Sequence, residues 1–160
     1  MTTTRFSAVF ALLAAGFLAS CGGSKGPSGV FKATLNGAQE VPAVTTSATG
    51  DATFTLTDNG TAMTYVVNFS GLSGPATLSH IHVGNAVTAG TVVVGFNPPA
   101  AASGTFTDKF TNANVIPRTT PIVVNTFEDI ITQMRAGNIY VNVHTTKNGG
   151  GEIRGVLQEQ

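Results

Sequence analysis

Polar and apolar residues alternate with a period of two along most of this chain. Phe31, Ala33 and Leu35 are interleaved with Lys32, Thr34 and Asn36. Ala52, Phe54 and Leu56 stand against Thr53, Thr55 and Thr57. After Asp58-Asn59-Gly60, a strong hairpin turn, the next run carries Met63, Tyr65, Val67 and Phe69 on one face. Residues two apart in a strand share a face, so each run predicts a strand with one buried side. Further strands are predicted at Leu78–Val83, Thr91–Phe96, Gly104–Phe110, Ile122–Asn125, Ile139–Thr145 and Glu152–Gln158. Asn97–Ala100 and Ala113–Pro121 read as irregular loops.

One segment changes period. Thr126 is placed to cap a helix, with Asp129 three residues on in a capping-box position. Ile130, Ile131 and Met134 form its apolar stripe, and Gly137 ends it. The pattern predicts an all-β fold: an antiparallel β-sandwich or barrel, immunoglobulin-like or superoxide-dismutase-like, with one short helix. Phe54, Phe69, Phe96, Phe106 and Phe110 are its candidate core aromatics.

The first 29 residues follow other rules. Arg5 is the one charge before Cys21, and Phe6–Ala19 is apolar or small throughout. With Leu18-Ala19-Ser20-Cys21 this makes a charged n-region, an apolar h-region and a small-residue cleavage site. The pattern matches the bacterial lipoprotein signal. It predicts a signal peptide over 1–20 and a covalent lipid on Cys21. Residues 22–29, Gly-Gly-Ser-Lys-Gly-Pro-Ser-Gly, read as a flexible tether with a reach of roughly 15 Å. The expected location is exported and membrane-anchored. Gly22 rather than Asp after the lipidated Cys favours the outer membrane where the organism has one.

Composition narrows the chemistry. Eight basic residues balance eight acidic ones, for a net charge of zero. That leaves no electrostatic case for nucleic acid or for an anionic lipid surface. Cys21 is the only cysteine, so no disulfide forms within the chain. If it is acylated, thiol catalysis and thiolate metal sites are excluded.

Polar residues interrupt three strands where apolar ones are expected: His80 with His82, Asn142 with His144, and Glu152 with Arg154. His80 and His82 share one face while Ile81 and Val83 take the other; Asn142 and His144 oppose Val141 and Val143 in the same way. The last two strands flank a Gly-rich connection, Thr146–Gly151. Pairing Val143 with Ile153 aligns the apolar face and sets Ile139 opposite Leu157. The same register puts Asn142 opposite Arg154 and His144 opposite Glu152. The hairpin is therefore expected to show a His, a Glu, an Asn and an Arg on one face.

These residues carry a resemblance. Ala33–Pro42 resembles the opening of a CHRD domain, the module named after chordin. His80-Ile81-His82-Val83-Gly84 is similar to its central motif. Tyr140–Thr145 followed by Gly151-Glu152-Ile153-Arg154-Gly155 resembles its closing signature, with Val156 departing from the expected Gln. The resemblance spans residues 30–158. It implies an extracellular β-rich module without an established catalytic activity. Chordin's growth-factor binding is associated with separate cysteine-rich modules and is not carried over.

Two readings of the polar face follow. In one, His80, His82, His144, Glu152, Arg154 and Asn142 form a paired network that specifies strand register. In the other, His80, His82 and His144, all the histidines of the chain, ligate one Cu or Zn ion, with Glu152 as orienter or ligand. A His-x-His strand is similar to the copper site of Cu/Zn superoxide dismutases, but no histidines are left for a second metal. A hydrolase is not indicated: no Gly-x-Ser-x-Gly motif and no glycosidase-type carboxylate pair stand in the sequence. Asp51, Asp58 and Asp108 read as solvated turn or edge residues. The function expected first is a non-catalytic binding or scaffolding module of the cell envelope with an envelope or extracellular partner. A mononuclear Cu- or Zn-binding or redox protein is the alternative.

Overall fold

The computed structural model describes Met1, Thr2 and residues 29–160. The predicted signal peptide body, Cys21 and the tether through residue 28 lie outside the described residues. Nine strands and one α-helix follow: β1 Val30–Asn36, β2 Thr49–Thr57, β3 Ala62–Ser70, β4 Ala76–Asn85, β5 Thr88–Phe96, β6 Gly104–Thr111, α1 Phe127–Arg135, β7 Ile139–Thr145, β8 Ile153–Val156 and β9 Gln158–Glu159. The strands form one sheet in the order β5-β4-β7-β8-β1-β2-β3-β6, with β9 beside β1. Every pairing is antiparallel. The sheet curls into a half-barrel, the all-β architecture that the alternation predicts.

Aromatic rings join its two ends. Phe96 of β5 packs on Phe106 and Phe110 of β6, with centroids 6.4 and 6.2 Å apart. Phe96 also meets Tyr65 of β3 at 4.3 Å. Such pairs add about 0.5–1.5 kcal/mol each beyond the area they bury. Phe31, Phe54, Met63, Ile81, Val141 and Ile153 are fully buried against them. All five candidate core phenylalanines are buried.

The Asp58-Asn59-Gly60 turn joins β2 to β3, with φ of 52°, 56° and 89°. Three consecutive left-handed residues suit Asp, Asn and Gly and few others. The helix forms as its signals predict. Thr126 Oγ1 accepts from Asp129 N–H, and Asp129 Oδ2 accepts from Thr126 N–H at 2.9 Å. Phe127, Ile130, Ile131 and Met134 are buried, and Gly137 follows at φ 71°. The helix packs against β7 and β9. Among the described residues no helix is long and apolar enough to cross a membrane.

Two expected strands differ. Ile122–Asn125 contributes one isolated bridge, Arg118 with Val124. Pro117 and Pro121 both precede the segment and lack the N–H groups a ladder needs. Glu152–Gln158 is not one continuous strand either. Glu152 precedes β8, and Leu157 separates β8, which pairs with both β7 and β1, from β9, which pairs with β1.

Replacing Thr126 with Ala removes the helix cap and is expected to cost about 1 kcal/mol, read as a lower urea midpoint with an unchanged slope.

Candidate metal centre

β7 is buried at all seven residues. Its Val141 and Val143 join the apolar core, so Asn142 and His144 point to the opposite face. On β4, His80 pairs with Asn142 and His82 with Tyr140; on β8, Arg154 pairs with Asn142. The predicted register holds at Val143–Ile153 and Asn142–Arg154, and Leu157 N–H donates to Ile139 O at 2.9 Å.

The three histidines meet. One nitrogen from each of His80, His82 and His144 lies within 4.8 Å of the other two. His80 Nδ1 is 2.9 Å from His144 Nε2. His82 and His144 are buried, while His80 is half-buried. Two rings are set by the backbone. His82 Nδ1–H donates to Gly90 O at 2.9 Å, and His144 Nδ1–H donates to Gly149 O at 3.0 Å. A carbonyl only accepts, so a neutral His82 ring keeps its lone pair on Nε2, whereas both nitrogens of His144 face an oxygen acceptor. His82 Nε2 is buried without a hydrogen-bond partner of normal geometry among the described residues. Asn142 places its carboxamide oxygen 3.0 Å from His144 Nε2.

Local sequence explains the two carbonyls. A register shift between Ile81 and His82 leaves Val93 of β5 as an extra residue opposite β4. A second shift, between Val83 and Asn85, leaves Ala89 and Gly90 opposite Gly84 and places the Gly90 carbonyl at His82. A Cβ at Gly90 would lie 1.5 Å from Val83 O, so only glycine allows the approach. Gly149 belongs to the connection between β7 and β8. That connection ends at Gly151, whose φ is 124° and whose Cβ would stand 2.2 Å from Glu40 Oε1.

The electrostatics keep the imidazoles neutral. Burial pushes His80 down to about 4, helped by the neighbouring His144 and His82. Burial pushes His82 down to about 4 against the hydrogen bond to Gly90. His144 is lowered by burial too, against its bond to Gly149. Neutral imidazole is the metal-binding form.

Arg154 lies in the same face but outside the histidine triad. It is fully buried, its guanidinium carbon 3.5 Å from the centroid of the Tyr140 ring. Its Nη2 donates to Asn85 O and Thr88 O. The His82 ring stacks on Tyr140 at 4.8 Å and 5°. Glu40 completes the surroundings. Burial raises its carboxyl to about 7, against Arg154 and Asn142. Sequence reasoning did not single out Glu40, although it stands in the Gln39-Glu40-Val41-Pro42 run that carried the opening resemblance.

Glu152 is not brought to His144 or to Arg154. It sits just before β8, and the turn at Gly151 directs its carboxylate elsewhere. There it accepts from Thr46 Oγ1 (2.8 Å), Ser73 N–H (2.8 Å), Ser73 Oγ (2.6 Å), Thr145 Oγ1 (2.8 Å) and Asn148 Nδ2 (3.0 Å). It ties the Gly-rich connection to two other loops, and through Gly149 it supports His144 at a distance.

The model of the CHRD domain matches residues 31–157, nearly all of the described structure. The chain belongs to the CHRD domain family. All three stretches that carried the resemblance lie within or overlap this match, and the central and closing ones supply every residue of the triad. A search of curated proteins finds no match to this CHRD domain, and a search of solved structures finds none. The family supports a binding or scaffolding module.

Burial alone would raise Glu152, but the hydrogen bonds from Ser73, Thr145 and Asn148 outweigh it and hold the carboxyl at about 2, below its ordinary 4.5. A depressed folded-state pKa stabilises fully above the unfolded value and fades as pH falls toward about 2. At about 1.4 kcal/mol per unit, Glu152→Gln is expected to cost up to roughly 3 kcal/mol at pH 7. Denaturant titrations should show that gap narrowing steadily between pH 4.5 and pH 2.5.

Proposed function

We propose that this CHRD domain is a binding module of the cell envelope that takes up one transition-metal ion through His80, His82 and His144, and that a lipid on Cys21 holds it to its membrane. The observation that carries the metal reading is the convergence of three neutral imidazoles. Two of them have Nδ1 held by a backbone carbonyl, and one nitrogen of each ring lies within 4.8 Å of the others. That outer hydrogen bond is the usual support of a histidine ligand. An all-imidazole donor set suits copper and zinc, and copper(II) stands above zinc(II) in intrinsic affinity. The membrane anchor rests on the leader pattern ending at Cys21.

A structural reading has its own support in the His80–His144 hydrogen bond, which closes part of the network without any ion. Calorimetric titration of the purified full chain with copper(II) and zinc(II) separates the two. One ion per chain is expected, with His82→Ala and His144→Ala each lowering affinity at least 100-fold while the circular dichroism of the sheet is retained. Absence of binding by the wild type, together with variants that unfold, would establish the network as purely structural.

The anchor is tested separately. Cys21→Ser is expected to move the protein from the membrane fraction to the soluble fraction after cell lysis and to abolish incorporation of labelled palmitate. Retention in the membrane with no label would overturn the lipid anchor.

A further inference from the structure

The three histidines are not equivalent. His82 and His144 are each under 10 % exposed, and each is fixed by a backbone carbonyl. His80 is half-buried, and the hydrogen bond described for it runs to His144 Nε2, an atom a metal would use. Among the described residues it makes no bond to a backbone carbonyl that would set its rotation.

The contacts sharpen the difference. His144 Nε2 has two polar neighbours, His80 Nδ1 at 2.9 Å and the Asn142 carboxamide oxygen at 3.0 Å. His80 is thus held by a ligand atom of the centre, where His82 and His144 are held by backbone carbonyls. An ion bound at His144 Nε2 takes the place of that contact, so His80 must release it and turn its ring to reach the ion.

The surroundings leave room for it. Gly95 of β5 pairs directly with His80. A Cβ at Gly95 would lie 3.7 Å from His80 Cδ2, in ordinary contact, so glycine leaves that edge of the ring uncovered. Gly95 itself is exposed. Gly149 and Gly150, in the neighbouring connection, have open space where a Cβ would stand.

We infer that the centre is a two-plus-one site built for metal transfer: His82 and His144 are its fixed ligands, and His80 is an exchanging ligand that yields its place to an incoming donor from a second metal-binding molecule. This rests on the metal reading above. An incoming imidazole, thioether or carboxylate approaches over Gly95, replaces His80, and draws the ion out by ligand exchange. His80 then returns to cover His144 Nε2. A purely static three-ligand site has no use for one uncovered, unfixed imidazole.

The test uses the copper(II)-loaded full chain and EDTA as acceptor, with transfer followed by copper absorbance in stopped flow. The transfer rate is expected to rise with EDTA concentration without a plateau. His80→Ala should lower equilibrium affinity by no more than about tenfold and speed transfer, whereas His82→Ala and His144→Ala each lose at least 100-fold in affinity. Gly95→Val places a strand-compatible side chain over His80. It should slow transfer at least tenfold and leave affinity within threefold. His80→Ala losing as much affinity as the other two variants would overturn the proposal. So would a transfer rate that Gly95→Val leaves unchanged, or one independent of EDTA concentration. A wild-type chain that binds no copper would overturn the metal reading itself, and this inference with it.

Discussion

A strand covered on both faces must satisfy every polar group it carries from within the protein, and β7 is such a strand. Its apolar face belongs to the core of the half-barrel. Its other face holds Tyr140, Asn142 and His144, all buried. Leaving such groups unpaired costs roughly 1–3 kcal/mol each. Much of the surrounding architecture answers that constraint. The β5 bulge supplies a carbonyl to His82, the Gly-rich connection supplies one to His144, and Gly90 N–H donates to the Tyr140 hydroxyl at 3.2 Å. The polar layer is thus a second interior, built on the outside of the sheet.

Charge is spread through that layer with economy. Arg154 and Glu40 both lie in it, and the guanidinium is spread over the Tyr140 ring while its Nη2 caps two carbonyls. The one carboxylate that is richly hydrogen-bonded, Glu152, is kept away from the imidazoles. Had it stood beside His144, as register alone implies, it would have held that ring protonated. Burial, with no carboxylate set against it, keeps the imidazoles neutral.

Much of this was legible in the residues. The face-sharing of His80 with His82 and of Asn142 with His144 follows from the period of two. The Val143–Ile153 register follows from aligning apolar faces. The Thr126 capping box and the Asp58-Asn59-Gly60 turn have local chemistry that needs no tertiary information. What escaped was non-local. Glu40 is buried because a loop after β1 closes over the polar face, which no local pattern encodes. Glu152 was misplaced because the period-two rule assumes extended backbone, and Gly151 is not extended in that sense. The Ile122–Asn125 run has strand composition, but the prolines before it leave it only a single bridge.

The strand order carries a consequence for how this molecule comes into being. β1 lies between β2 and β8, and β9, made last, pairs with β1, made first. The middle of the sheet therefore joins the two extremes of the domain. A growing chain can form the β2–β3 hairpin and the β4–β5 hairpin early, but neither half can be sealed to the other until the final residues arrive. Long-range closure of this kind makes folding slow. It also keeps the unfinished chain open and threadable for as long as synthesis lasts, with the histidine face assembled among the last parts, when β7 finally slots in beside β4.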